Sequence, residues 1–134
     1  MKRKDNLVEE LNLIQTQIQR MAGNSFIVKG WYTTFMSAFI VYIFTKNDFS
    51  LIFLGVILTL GCFIYDCYFL YLENRYREKY SWVINNIDND NFLFNLDPYE
   101  EEMLNKPVLW KDILLSKSIL VFYFLPLGIL LILG

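Results

Sequence analysis

The sequence predicts an all-α integral membrane protein with three transmembrane helices, the first two forming a long helical hairpin extended into the cytoplasm. Three observations carry that prediction. The 134 residues are 55% hydrophobic and 18% aromatic, with a mean hydropathy of +0.34. Charged residues make up 19%, below the roughly 25% of an ordinary soluble domain, and so short a chain has little interior in which to hide apolar surface. The apolar residues also gather into three uncharged runs. The same composition excludes intrinsic disorder, which is poor in aromatic and branched residues.

The first run, 30–45, covers 16 residues between Lys29 and Lys46. At 1.5 Å per residue it reaches about 24 Å, short of a hydrocarbon core of about 30 Å. Extension back to Phe26 closes the gap and includes Lys29, whose ammonium snorkels to the headgroups. The second run, 49–65, ends at Asp66. The spans are expected at about 27–45 and 49–66, within a hairpin of residues 1–88. Residues 89–117 form a cytoplasmic acidic loop and a short interfacial helix opening at Pro107. Residues 118–134 form the third span, with an expected kink at Pro126.

Orientation follows from the basic residues. Eleven of the twelve precede the first span or lie between the second and third, and only Lys46 sits in the TKND connection. The positive-inside rule then puts the N-terminus in the cytoplasm and the C-terminus outside. Outside the bilayer, Leu7, Leu11, Ile14, Ile18 and Met21 repeat at a/d spacing, a seam expected to drive homo-oligomerisation. Phe69, Leu72, Tyr76, Tyr80, Val83 and Ile87 form a matching stripe. With a turn near 46–48, opposed residues have numbers summing to about 95. That register sets Leu11 against Ile84, Ile18 against Tyr76 or Tyr80, and Arg20 near Glu73 and Arg75. It also places Thr34, Ser37 and Ala38 opposite Gly55 and Gly61, a close-packing contact.

Catalytic chemistry finds no purchase in these residues. Histidine is absent, which removes the histidine-dependent nucleophilic and zinc sites. Cys62 and Cys67 lie on different faces of one helix and read as reduced packing residues. Glu100, Glu101 and Glu102 are consecutive and fan apart. No enzyme activity, cofactor, metal or nucleic-acid partner is expected. The informative pair is Lys29 and Asp66, which the register sets at one depth near the cytoplasmic boundary, as an ion pair or a gate. An acid inside an apolar segment needs a partner or a wet cavity. A charge-swapped pair is expected to restore what single substitutions lose. Arg20, Asn24, Glu73, Arg75 and Arg77 are expected to gather as a cytoplasmic polar cluster below it.

The segment QTQIQRMAGNSFIVKGW, then DCYFLYLENRYREKY after the spans, resembles a family of small bacterial membrane proteins with the pattern R-M-A-x-N-S-F-x-x-K-G-W, two spans, and D-x-Y-F-L-x-x-E-R-x-F-R. Arg20, Met21, Ala22, Asn24, Ser25, Phe26, Lys29, Gly30, Trp31, Asp66, Tyr68, Glu73 and Arg77 carry the resemblance, over about the first 80 residues. Asn74 interrupts the Glu-Arg step of the pattern. Such proteins are often encoded in mobile or anti-phage defence islands. The resemblance implies an inner-membrane effector that oligomerises, forming a pore or otherwise perturbing the membrane, when a cytosolic partner protein or nucleotide signal triggers it. The alternative is a non-pore membrane anchor or regulatory subunit for a cytosolic partner.

Overall fold

The computed structural model describes residues 2–133, and the elements within that range are helical. A short helix α1 (Lys2–Asp5) leads into α2 (Leu7–Lys46), 40 residues or about 60 Å long. α3 (Ile52–Asn85) returns alongside it over 34 residues. A five-residue α4 (Trp110–Leu114) then precedes α5 (Lys117–Leu133). Both α2 and the Phe49–Asn85 segment are long and apolar enough to cross a membrane; the apolar part of α5 is shorter.

The hairpin turn is made by its own side chains. Asn47 closes α2 in the left-handed region at φ 55°, its amide bonded to the Ile43 carbonyl, a conformation asparagine tolerates better than most residues. Asp48 then accepts from the Ser50 amide at 3.0 Å and starts a 3₁₀ turn, Phe49–Leu51. Gly23 and Gly30 lie inside an unbroken α2. α5 also runs through Pro126, which leaves the Phe122 carbonyl without its usual amide partner.

α5 docks on the hairpin through Ile119, Tyr123, Leu127 and Leu130, one helical face. Tyr123 reaches Asp66, whereas Leu130 meets Gly55 near the start of α3. α5 is therefore antiparallel to α3 and ends beside the hairpin turn. Gly55 is a close-approach site: a Cβ there would lie 2.5 Å from Leu130 Cδ2. Gly55→Val should accordingly loosen α5 by about 1–3 kcal/mol, read as a lower melting temperature in detergent, with partial recovery in Gly55→Val/Leu130→Ala.

Several expectations need correction here. The seam Leu7, Leu11, Ile14, Ile18 and Met21 is filled inside the chain, against Tyr76, Trp82, Val83, Met103, Phe92 and Leu96. Ile14 is 0% and Ile18 5% exposed, so this seam offers little to a second copy. The 87–109 segment folds back and supplies the apolar lid that the register did not foresee. Val83 is buried at that level, while Ile84 is exposed. On α3, Lys79 is buried where the stripe was expected to use Tyr80, which is half-buried. Thr34, Ser37 and Ala38 face outward, as does Gly61; Gly55 instead meets Met36 and Phe39. Pro107 lies outside any helix, and the helix after it begins at Trp110. Cys62 and Cys67 are both free thiols.

Candidate functional site

The α2–α3 register brings Lys29 and Asp66 together at the junction of the apolar and polar halves. Lys29 Nζ lies 2.7 Å from Asp66 Oδ2 and 3.0 Å from Oδ1. Two residues outside the sequence expectation complete the group. Ser25, one turn before Lys29 on the same face, donates to Asp66 Oδ1 and accepts from Lys29 Nζ at 2.8 Å. From α5, the Tyr123 hydroxyl donates to Asp66 Oδ2 at 3.0 Å. The carboxylate, carried by α3 and 0% exposed, is thus satisfied by donors from the two other long helices, α2 and α5, as a buried charge must be.

A second tier ties the same helices. The Tyr32 hydroxyl donates to the Tyr123 carbonyl at 2.8 Å, one residue from the carbonyl that Pro126 orphans. Thr59 Oγ1 lies 3.3 Å from the Tyr32 oxygen. The Tyr32 and Tyr123 rings are 4.7 Å apart, and Phe63 meets Tyr123 edge-on. Ser25 and Lys29 have the contact of a serine–lysine nucleophilic pair. Here the Lys29 ammonium nitrogen is also ion-paired to Asp66, and Ser25, 5% exposed, donates its hydrogen bond to the carboxylate. The arrangement neutralises charge and latches helices.

Ser25 carried two sequence signals, its place in the N-S-F-x-x-K-G-W pattern and its position one turn from Lys29. Tyr123 carried none, because nothing in the chain order ties the last helix to Asp66.

The expected cytoplasmic cluster is dispersed. Arg77 pairs with Glu73 along α3, Nη2 to Oε1 at 2.6 Å. Arg75 turns to the loop, giving Nε to the Pro98 carbonyl and Nη1 to the Tyr71 hydroxyl at 2.9 Å. Arg20 is exposed and Asn24 half-buried. Among the described residues no hydrogen bond or ion pair joins either to Glu73, Arg75 or Arg77.

What α3 does instead is clasp the loop. Tyr76 donates to the Leu96 carbonyl at 3.1 Å, and Lys79 donates to the carbonyls of Asn95, at 3.1 Å, and Asp97. With Arg75, four consecutive loop carbonyls are met by three side chains. The loop is shaped for this by Asn89, Asn95 and Asp97, each accepting from the amide two residues on, the usual use of such residues in turns.

Burial pushes Lys79 down to about 8, against the fields of Asp97, Glu100 and Glu10, which favour its charge; Arg75 opposes it. The unfolded lysine titrates at 10.5, so between those values the unfolded state binds more protons and stability rises with pH. From pH 7.5 to 9.5 the gain should be about 1–2 kcal/mol, seen as a rising melting temperature in detergent. Lys79→Met should remove that slope and lower stability throughout, because two loop carbonyls lose their donor.

Fold and site together define an all-α chain: two long apolar helices in a hairpin, with a third latched to them through one buried carboxylate. Compared with protein-family models, curated proteins and solved structures, the chain matches none.

Proposed function

We propose that the chain is a three-span protein of a bacterial inner membrane, its N-terminus cytoplasmic and its C-terminus outside. We further propose that it serves as an effector of an anti-phage defence system, perturbing or permeabilising the membrane when triggered. The apolar windows of the two long helices are only 17% buried. Phe26, Trp31, Phe44, Phe53 and Ile64 point outward, which suits lipid and not a soluble core. α5, ending beside the hairpin turn, completes an antiparallel third crossing.

The observation that supports an effector is the latch of Ser25, Lys29, Asp66 and Tyr123. Closed, it holds a neutralised charge pair one turn inside the hydrocarbon boundary. Opened, it leaves ionised groups that are costly there and draw in water, so a cytosolic partner protein or a nucleotide signal has a two-state element to act on. With the cytoplasmic seam filled, contacts between copies in a homo-oligomer would run through membrane faces such as the outward Thr34, Ser37 and Ala38 of α2. A second reading, a non-pore membrane anchor or regulatory subunit, draws on the clasped loop, which makes the polar half a fixed surface for a cytosolic protein.

The test is dye entry and growth on expression in bacteria. Tyr123→Phe, which weakens the latch by one hydrogen bond to a buried carboxylate, should leak more than the wild type at equal abundance. Co-purification of a cytosolic protein with no leakage from either form would replace the effector with the anchor. For orientation, alkaline phosphatase fused after residue 133 should be active and fused at Asn95 inactive; activity at Asn95 would reverse it.

A further inference from the structure

We propose that the cavity between α3 and the 98–109 segment binds the headgroup of a zwitterionic aminophospholipid, its phosphate on Arg75 and its ammonium on Glu101. The cavity measures about 270 Å³ and is lined by Tyr71, Arg75, Glu101, Leu104, Val108 and Leu109 among others. Arg75 is 4% exposed. Its contacts to the Pro98 carbonyl and Tyr71 hydroxyl use Nε and Nη1, leaving Nη2 to donate. The guanidinium lies 5.5 Å from the Tyr71 ring centre and 5.8 Å from that of Tyr99, which fixes its plane. A fixed guanidinium lining a cavity suits a phosphate oxygen.

Glu101, on the same cavity, decides which phosphate. A purely anionic group would meet its carboxylate, whereas a phosphodiester carrying a primary ammonium satisfies both walls. Leu104, Val108 and Leu109 offer apolar surface to the glycerol and first methylenes.

Depth agrees, given the membrane reading on which this inference rests. A core of about 30 Å counted down α2 from Lys46 ends near Phe26, level with Phe69 on α3. Tyr71 and Arg75 then lie about 3–9 Å farther, in the headgroup layer. Trp110, beside Leu109 and 44% exposed, stacks on Tyr71 with ring centres 4.0 Å apart and planes at 12°, as an interfacial aromatic does.

The experiment reconstitutes the delipidated full chain into vesicles of equal phosphatidylethanolamine, phosphatidylcholine and phosphatidylglycerol, and reads retained lipid by native mass spectrometry. The wild type should keep phosphatidylethanolamine about tenfold over the others, one charge-assisted hydrogen bond's worth. Glu101→Gln, at an exposed position, should lose that preference and gain phosphatidylglycerol. Arg75→Lys, which keeps the charge but loses the fork, should retain less lipid of every kind. Equal retention of the three lipids by the wild type, or an unchanged preference in Glu101→Gln, would overturn the proposal. Displacement of the lipid by soluble glycerophosphoethanolamine at equal concentration would assign the site to a free phosphoester and overturn the lipid. Alkaline carbonate extraction separates the two readings: release of the wild type from membranes sinks the membrane reading itself, whereas resistance without lipid preference sinks this inference alone.

Discussion

Asp66→Ala should lower the amount of protein in the membrane fraction severalfold and its melting temperature in detergent. An exposed control, Glu102→Ala, should do neither. The substitution leaves the Lys29 ammonium, Ser25 and Tyr123 without their common acceptor. Breaking a buried ion pair costs about 3–5 kcal/mol, and the low end applies because the Lys29 side chain is 28% exposed and reaches toward water.

The swap Lys29→Asp/Asp66→Lys should not recover the loss, contrary to what the pair alone implies. Position 66 is fully buried and built for an acceptor of three donors from two other helices. A lysine there is longer and brings donors of its own, and an aspartate at 29 is too short to span the gap. Full recovery of abundance in the swap would mean that Coulomb attraction suffices and that Ser25 and Tyr123 are bystanders.

Ile18→Asp should have the next largest effect, and it should fall within one chain. Ile18 is 5% exposed among Ile14, Tyr76, Val83 and Met103, an apolar cluster into which the substitution puts a carboxylate. The cost of burying it is several kcal/mol, enough to release the 87–109 segment from the polar half. Limited proteolysis should then cut that segment rapidly while α2 and α3 stay in the membrane fraction. A protected segment together with a changed oligomeric state would instead return the seam to a contact between copies.

How much of this was legible beforehand differs from one residue to the next. The TKND turn and the helical period together fix which residues of α2 and α3 share a depth, so the meeting of Lys29 and Asp66 could be read from spacing alone. The same arithmetic set Ile18 beside Tyr76 and Tyr80, which share its cluster, but missed by one residue at Ile84, where Val83 is buried instead. A register gives depth and leaves rotation about each helix axis open, and rotation decides which neighbour is buried. Lys79 shows the consequence. Its type argues for water, yet it occupies a core position on the Leu72–Tyr76–Val83 face because the loop carbonyls of Asn95 and Asp97 accept its hydrogen bonds.

The sequence by itself determined the helical class, the apolar hairpin and the depth of its charges, since composition, periodicity and one short turn are local properties. Only the tertiary structure decided three things: that the seam closes inside the chain, that α3 clasps the 95–98 carbonyls, and that Tyr123 completes the acceptors' partners at Asp66. Each joins residues at least 16 positions apart. Those contacts form where a buried polar group needs a partner, and neither spacing nor propensity records which distant segment supplies it.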